Sequence, residues 1–206
     1  MKKYELTEET KIIGDKMLFR IRALRSFGDI KAGDLGGFIE NERNLSHEDN
    51  AWVSGNAKVI DNARVSDNAL VSGETWVGGN ARVDGNARVS GNARVIDNAR
   101  VSGYAKVGGK AIVGGEAWVS GEAQVSDDGL INSNNDYLYE KGLGSHNRPA
   151  SFFKCKDRHI HVLCGCFDGN LDEFENKVKE EHGNSKYAKE YLGFIEVVKT
   201  HFEVCQ

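Results

Sequence analysis

Cysteine and histidine residues cluster in one short segment of the chain. Cys155, His159, His161, Cys164 and Cys166 fall within twelve residues. Zinc prefers paired ligands separated by longer spacers, so the one-residue spacer between Cys164 and Cys166 fits such a site poorly. On one strand the two thiols would share a face, as would the two imidazoles. We therefore predict ordinary strand residues with buried thiols and no metal site, and keep zinc binding or a redox pair as alternatives.

Three arginines recur at intervals of eighteen residues and could bind an anion. Arg64, Arg82 and Arg100 are followed at the same interval by Trp118. If residues eighteen apart stack on strands about 4.8 Å apart, their guanidinium groups form a ladder suited to carboxylates or phosphates. Residues 51–110 hold eight basic and five acidic residues, which favours an acidic partner there.

Neutralisation on a soluble outer face is the competing interpretation of these arginines. Residues 51–131 hold eight basic and nine acidic residues in all. The acidic residues expected near the arginine rows are Asp61, Asp67, Asp84 and Asp97. We expect that replacing the three arginines together weakens capture of a partner and leaves folding intact.

A polar, glycine-rich segment at Gly142–Arg148 is a further candidate for ligand binding. His146, Asn147 and Arg148 would be its contacting residues. The segment resembles a phosphate-binding loop only loosely, because no helix is predicted directly after it.

The arginine spacing follows from a repeat of six residues. From Val53 to Ile131 every sixth residue is aliphatic, and the residue two positions earlier is always small, from Ala51 to Gly129. A pair such as Gly-Asn or Asp-Asn usually completes the unit. A helix would place neighbours three, four and seven residues apart, so a period of six predicts short strands with a corner in every unit. Residues two apart share one side of a strand, so we expect Ala and Val to point inward.

The unit Val-Ser-Gly-Asn-Ala-Arg, clearest from Val89 to Arg94, resembles the hexapeptide repeat of left-handed parallel β-helices. The resemblance implies a mainly β fold with three hexapeptides per coil. The left hand comes from the resemblance alone, because parallel crossovers are otherwise nearly always right-handed. The whole chain, including Leu18–Leu24 and Gly33–Ile39, also resembles uncharacterised prophage and bacterial proteins of the YdcK-like hexapeptide-repeat kind. That second resemblance brings no established activity.

Composition divides the chain into three parts. Residues 1–50 are predicted to form an N-terminal β cap, with a strand near 17–24, and an imperfect first coil. The step from Leu45 to Val53 is eight instead of six, so two extra residues within 46–49 should form a loop. Residues 51–131 are predicted to form the regular β-helix, of a little under five coils.

Residues 132–206 are predicted to form a small α+β domain. Strands are expected near 137–139, 151–154 and 159–167, followed by a turn at 168–170. Helices are expected at 171–182 and at about 186–202, capped by Asn170 and Ser185.

The repeat contains no histidine, which weighs against an enzyme. Hexapeptide β-helices often belong to acyltransferases that use a histidine on a coil edge as general base, and another branch binds zinc through three coil histidines. Residues 51–131 hold no histidine, so nothing in the coils titrates near neutrality. His47, in the predicted loop, is the nearest candidate base. We predict no catalytic residue and no cofactor.

Charge and cysteine usage restrict the partners and the compartment. A net charge of −4 gives no general attraction to nucleic acid or to an anionic membrane. No apolar run approaches the length of about 18 residues that spans a bilayer, and no secretory signal is recognised. Four cysteines within the last 52 residues are then expected to be reduced thiols of a cytoplasmic protein.

We expect a non-catalytic binding protein that engages a host protein or protein complex and assembles as a homodimer or homotrimer. The resemblance to prophage proteins implies action in the host cytoplasm and makes inhibition of a host defence system one form of this role. An acyltransferase-like enzyme with a site between subunits is one alternative. A sponge for a nucleotide or another small ligand, held at Gly142–Arg148 or between subunits, is the other.

Overall fold

The chain folds around a stack of short strands, one for each six-residue unit. The computed structural model describes residues 2–144 and 146–203. The alanines and valines of the repeat are buried, while the corner residues adopt a positive φ, from 47° at Asp127 to 76° at Gly73. Glycine tolerates this conformation freely, and aspartate is one of the few other residues that visit it. Each unit therefore contributes one strand and one bend.

The N-terminal strands form a cap that joins the first coil. In the part of the chain that the structure describes, these strands are β1 Tyr4–Ile13, β2 Lys16–Ala23 and β3 Leu35–Ile39. They pair antiparallel in chain order, and β3 continues in parallel with a coil strand through Ile39 and Val59. The strand predicted near 17–24 is confirmed as β2. Strand β1 was not predicted, because the polar run Thr7–Lys11 hides its alternation.

Two extra residues separate the first coil from the regular ones. Leu45 pairs in parallel with Val65, twenty positions later, whereas Val53 pairs with Val71 at the regular eighteen. A 3-10 helix at Glu42–Asn44 and the loop that follows it accommodate the difference. The insertion predicted within 46–49 is confirmed.

The regular coils stack in parallel, with residues eighteen apart as neighbours. Arg88, for example, pairs with Leu70 on one side and with Lys106 on the other. Over residues 51–131, all of which are described, the strands are β4 Trp52–Val53, β5 Lys58–Val59, β6 Arg64–Val65, β7 Leu70–Val71, β8 Trp76–Val77, β9 Arg82–Val83, β10 Arg88–Val89, β11 Arg94–Val95, β12 Arg100–Val101, β13 Lys106–Val107, β14 Ile112–Val113, β15 Trp118–Val119, β16 Gln124–Val125 and β17 Leu130–Ile131. The mainly β fold with three hexapeptides per coil is confirmed as a β-solenoid of about five turns. Its left hand stays a prediction.

An antiparallel sheet covers the far end of the solenoid. After a 3-10 helix at Asn134–Asp136, the described strands are β18 Tyr137–Leu143, β19 Arg148–Lys154, β20 Ile160–Cys164 and β21 Phe167–Asn170. They pair in that order. Phe153 is fully buried and packs with the valine core, whereas its neighbour Phe152 faces the second core beneath the helices. Gly129 stands where the repeat usually has alanine, and a Cβ there would meet Val125 Cγ1 at 2.7 Å and the Phe153 ring at 3.1 Å.

The predicted single strand over 159–167 and the predicted turn at 168–170 are wrong. The turn lies at Gly165, which has a φ of 64°, and divides the segment into β20 and β21. Asp168 pairs with Leu163 across the resulting hairpin. The turn-forming residues at 168–170 become strand residues because pairing with β20 outweighs their local preference.

Two helices complete the described part of the C-terminal region, α1 Leu171–His182 and α2 Lys186–His201. Asn170 caps α1, because its side chain accepts a hydrogen bond from the Glu173 backbone while Glu173 reaches back to the Asn170 amide. Ser185 caps α2. Both predicted caps are confirmed. Among the described residues, no helix is long and apolar enough to cross a membrane.

Candidate functional site

The predicted arginine ladder is present on one face of the solenoid. Arg64 on β6 pairs with Arg82 on β9, which pairs with Arg100 on β12, and Arg100 pairs with Trp118 on β15. Parallel pairing in register places each side chain above the last on the same face.

At the C-terminal end of this ladder, Arg100 and Trp118 are engaged in contacts within the protein. The Arg100 guanidinium donates to Asp84 Oδ2 from Nε at 3.1 Å and from Nη2 at 2.9 Å. It also lies 5.4 Å from the centre of the Trp118 ring, and the Trp118 indole donates to Ser102 Oγ at 2.9 Å. Arg100 and Trp118 therefore stabilise each other and are poorly placed to contact a ligand.

At the N-terminal end of the ladder, Arg64 and Arg82 lie in a groove next to the first coil. We call it the arginine groove; it is lined by Arg43, His47, Arg64, Arg82 and Asp84, among others. Among the described residues, no carboxylate forms an ion pair with any of its three arginines. Asp84 is held by Arg100, so the groove has an excess of positive charge.

Glu42, at the rim of the arginine groove, is already paired. Its carboxylate accepts a hydrogen bond from Lys2 Nζ at 2.7 Å. That hydrogen bond is the main cause that lowers the pKa of the Glu42 carboxyl group, although burial opposes it. Glu42 therefore stays ionised and bound to Lys2 instead of neutralising the neighbouring Arg43.

His47 has a packing role. Its ring stacks on Tyr4 with centroids 4.2 Å apart, and Nδ1 accepts a hydrogen bond from the Lys3 amide at 3.2 Å. Burial lowers the pKa of His47. The imidazole is therefore neutral near pH 7, and its contacts hold the loop against the cap.

Most of the aspartates expected near the arginine rows do not neutralise an arginine. Asp61, Asp67 and Asp97 occupy corners with positive φ, and each accepts a hydrogen bond at 2.9–3.0 Å from the backbone of the next coil. Asp61 also pairs with Lys16 at 2.6 Å. Only Asp84 of the four pairs with a ladder arginine in the described structure. The corner aspartates thus serve the backbone and leave Arg64 and Arg82 unneutralised.

The predicted Gly142–Arg148 segment includes the end of β18, the turn that follows it and the first residue of β19. Ser145 lies outside the described residues. His146 and Arg148 line a second groove with Lys177, His182 and other side chains, while Asn147 occupies the turn with a φ of 49°. The residues that follow the turn form β19, so the segment lacks the helix of a phosphate-binding loop, as the sequence predicts.

The Cys164 thiol beside this second groove is not activated. Burial raises the pKa of the Cys164 thiol, and it also raises the pKa of the nearby Tyr191 hydroxyl to about 12. Cys164 ends β20 and Cys166 lies beyond the Gly165 turn, so the predicted shared strand face is wrong. The raised pKa of Cys164 does not favour a reactive thiolate at that position.

The other part of the Cys/His cluster converges at the junction of the solenoid and the C-terminal sheet. Ligand atoms of Cys155, His159 and His161 all lie within 4.8 Å of one another. Cys155 is buried, and its backbone forms an isolated antiparallel β-bridge with Gly129 of the last coil. The shared face predicted for the two imidazoles is confirmed by a distance of 3.5 Å between their facing nitrogens.

Fold and surface together define a β-solenoid repeat protein with a capped N-terminal end and a C-terminal α+β region. Two stretches of its coils, residues 63–79 and 87–109, match the sequence model of the YdcK β-solenoid repeat. The matched stretches include Arg64 and Arg100 and exclude both ends of the molecule. A comparison with curated proteins gave no significant match. The coils are thus YdcK-like, and a prophage origin stays a prediction.

Proposed function

We propose that this chain is a non-catalytic binding protein whose arginine groove holds an acidic segment of a partner protein. The observation that supports this proposal is the group of Arg43, Arg64 and Arg82, none of which has a carboxylate partner among the described residues. Like charges in register repel each other, and a bound anion would relieve that repulsion. Guanidinium groups bind carboxylates through two parallel hydrogen bonds, which gives the groove a chemical preference.

A protein partner fits this surface better than nucleic acid does. The groove is local, and the chain as a whole carries a net charge of −4, which would repel a long polyanion. A short run of aspartate or glutamate side chains requires only a few cations. If the chain is phage-encoded, the partner with such an acidic segment is a host protein or protein complex, for example one used in defence. Homo-oligomerisation through the outer faces would multiply the groove and strengthen capture.

The test compares two double variants of the purified protein. Arg64→Glu/Arg82→Glu reverses the charge of the groove, while Arg88→Glu/Arg94→Glu makes the same change at exposed arginines outside it. The probe is a fluorescent oligoglutamate peptide, with binding measured by anisotropy at two salt concentrations. We expect the groove variant to bind about tenfold more weakly or worse, and the control to bind nearly as the wild type does.

Capture from host lysate, quantified by mass spectrometry, then identifies the natural partner. A specific partner should be lost with the groove variant and retained with the control. Equal losses in both variants would indicate general charge attraction, and no loss in either would exclude the groove.

A small anionic ligand at the second groove is a further candidate function. Arg148 borders that groove with His146 and His182, whereas Lys177 is paired with Glu181 at 3.1 Å. The Arg148 guanidinium favours a phosphate-bearing ligand over a neutral one. Mass spectrometry of small molecules released from the purified protein would test this candidate. Loss of the released ligand in an Arg148→Ala variant is the expected result.

A further inference from the structure

We propose that Cys155, His159 and His161 bind a zinc ion at the junction between the solenoid and the C-terminal sheet. The local backbone brings these residues together. Arg158 adopts a φ of 72°, and the resulting tight turn lets the Cys155 amide donate to the His159 carbonyl at 3.0 Å. Cys155 and His159 thus lie opposite each other, and His161 follows two residues later on the same face of β20.

The hydrogen bonds of the two imidazoles determine which nitrogens are free. His159 Nδ1 lies 2.5 Å from Asp157 Oδ1, and His161 Nε2 lies 2.7 Å from Asp168 Oδ1 and 3.2 Å from Asp127 Oδ2. A carboxylate accepts hydrogen bonds only, so each of these nitrogens carries the ring proton. The opposite nitrogens, His159 Nε2 and His161 Nδ1, are then unprotonated in the neutral rings.

Those unprotonated nitrogens face each other. They are 3.5 Å apart, and two facing lone pairs are unfavourable unless a proton or a metal ion lies between them. Two imidazole ligands of one tetrahedral zinc ion, at about 2.05 Å each, have nitrogens about 3.3 Å apart. A carboxylate on the far nitrogen of each ligand is the arrangement that orients metal-bound histidines in proteins.

The third ligand and the surroundings also suit zinc. Cys155 Sγ lies within 4.8 Å of a ring nitrogen of each histidine, and bonds of about 2.3 Å to sulfur and about 2.05 Å to nitrogen would bring these atoms to about 3.6 Å apart. A mixed nitrogen and thiolate set favours zinc over calcium or magnesium. Phe153 stacks on His161 with ring centroids 5.2 Å apart and limits its movement.

Binding would form one Zn–S and two Zn–N bonds and would release the Cys155 thiol proton to solvent. His159 is partly exposed, so a water molecule can occupy the fourth position. Because Asp127 belongs to the last coil, a metal on His161 would strengthen a hydrogen bond that crosses the junction. We therefore expect the ion to stabilise the contact between the solenoid and the C-terminal sheet.

The test uses the full chain stripped of metal with a chelator and titrated with Co²⁺, then with Zn²⁺. We expect one equivalent of Co²⁺ to give the visible bands of a tetrahedral ion and a thiolate charge-transfer band, both abolished by Zn²⁺. Zinc should also raise the midpoint of thermal unfolding. Cys155→Ser should lose the charge-transfer band, and His159→Asn, at a partly exposed position, should lose tight binding without unfolding.

Control variants separate this site from its alternatives. Cys166→Ser removes an exposed thiol that is not one of the three proposed ligands, and this variant should bind metal as the wild type does. Asp168→Asn should keep the stoichiometry and the thiolate band while weakening affinity about 10- to 100-fold. Failure to bind Co²⁺, or wild-type binding by both Cys155→Ser and His159→Asn, would overturn the proposal. Loss of binding in Asp168→Asn alone would instead indicate a site formed by Asp127, His161 and Asp168.

Discussion

A buried lysine closes the N-terminal end of the solenoid core. Lys3 is fully buried, and its ammonium group donates to the Ala51 carbonyl at 2.8 Å and to the Glu48 carbonyl at 3.1 Å. Burial, assisted by the nearby Arg25, lowers the pKa of Lys3 to about 8. The free-energy cost of burying the ammonium charge therefore offsets part of the stabilisation that its two hydrogen bonds provide.

This lysine predicts a dependence of stability on pH. Between the folded pKa of about 8 and the ordinary lysine pKa of 10.5, the unfolded chain binds more protons than the folded one. The free energy of unfolding should therefore rise with pH in this window, by at most about 1.4 kcal/mol per pH unit from this group. Chemical denaturation between about pH 8 and pH 9.5 measures the slope. Lys3→Met should remove it and Lys2→Met should keep it; equal slopes in all three proteins would contradict the assignment.

At the scale of the repeating element, the corner aspartates combine two roles. Asp97 has a φ of 59°, and its carboxylate accepts a hydrogen bond at 3.0 Å from the Gly115 amide of the next coil. The same arrangement links Asp61 with Gly79. Each aspartate thus tolerates the bend and ties one coil to its neighbour.

Substitutions at Asp97 should separate these roles. Asp97→Ala loses the hydrogen bond. It also places alanine, which has no polar side chain to bond locally, at a positive φ. The free energy of unfolding should therefore fall by about 1–2 kcal/mol. Asp97→Gly relaxes the backbone and should cost less. Urea denaturation of both variants measures the difference. If Asp97→Ala has a higher free energy of unfolding than Asp97→Gly, backbone strain is unimportant at this corner.

At the scale of the whole molecule, the C-terminal sheet completes the solenoid core. Phe153 belongs to the cluster of buried valines, and Phe152 belongs to the cluster beneath α1 and α2. The Gln124 amide also donates to Ser151 Oγ at 2.8 Å, which satisfies a backbone group of the last coil. The end of the solenoid is thus covered by a side chain and a hydrogen bond from a different region.

Removing the Phe153 ring should therefore destabilise both regions together. Phe153→Ala leaves a cavity against Val125 and Gly129 and should lower the free energy of unfolding by about 3–5 kcal/mol. The matched control, Phe167→Ala, removes a half-buried ring that packs only at the edge of the second core, and should cost less. Hydrogen exchange of the last coils and of α1 should accelerate together in Phe153→Ala. Faster exchange in α1 alone would show that the sheet does not stabilise the solenoid.

The repeat determined most of the solenoid by itself. A small residue and a β-branched residue two apart, with a corner residue in every unit, permit few packings that bury every valine. The caps at Asn170 and Ser185 follow from local patterns and were predictable, whereas the pairing of Arg64 with Arg82 also required the number of units per coil. The resemblance to hexapeptide proteins supplied the number of units per coil.

Only the tertiary structure decided which of the predicted residues are free to act. Arg100 differs from Arg64 because Asp84 and Trp118 contact it. Arg43 joins the arginine groove because the 3-10 helix of the first coil packs beside β6. The facing nitrogens of His159 and His161 depend on carboxylates from Asp157, Asp168 and the last coil. These relations join residues that are distant in sequence, or depend on a turn at Gly165 that local preference placed elsewhere. Residue spacing reports which side chains share a face, whereas long-range packing determines which charges and lone pairs remain without a partner.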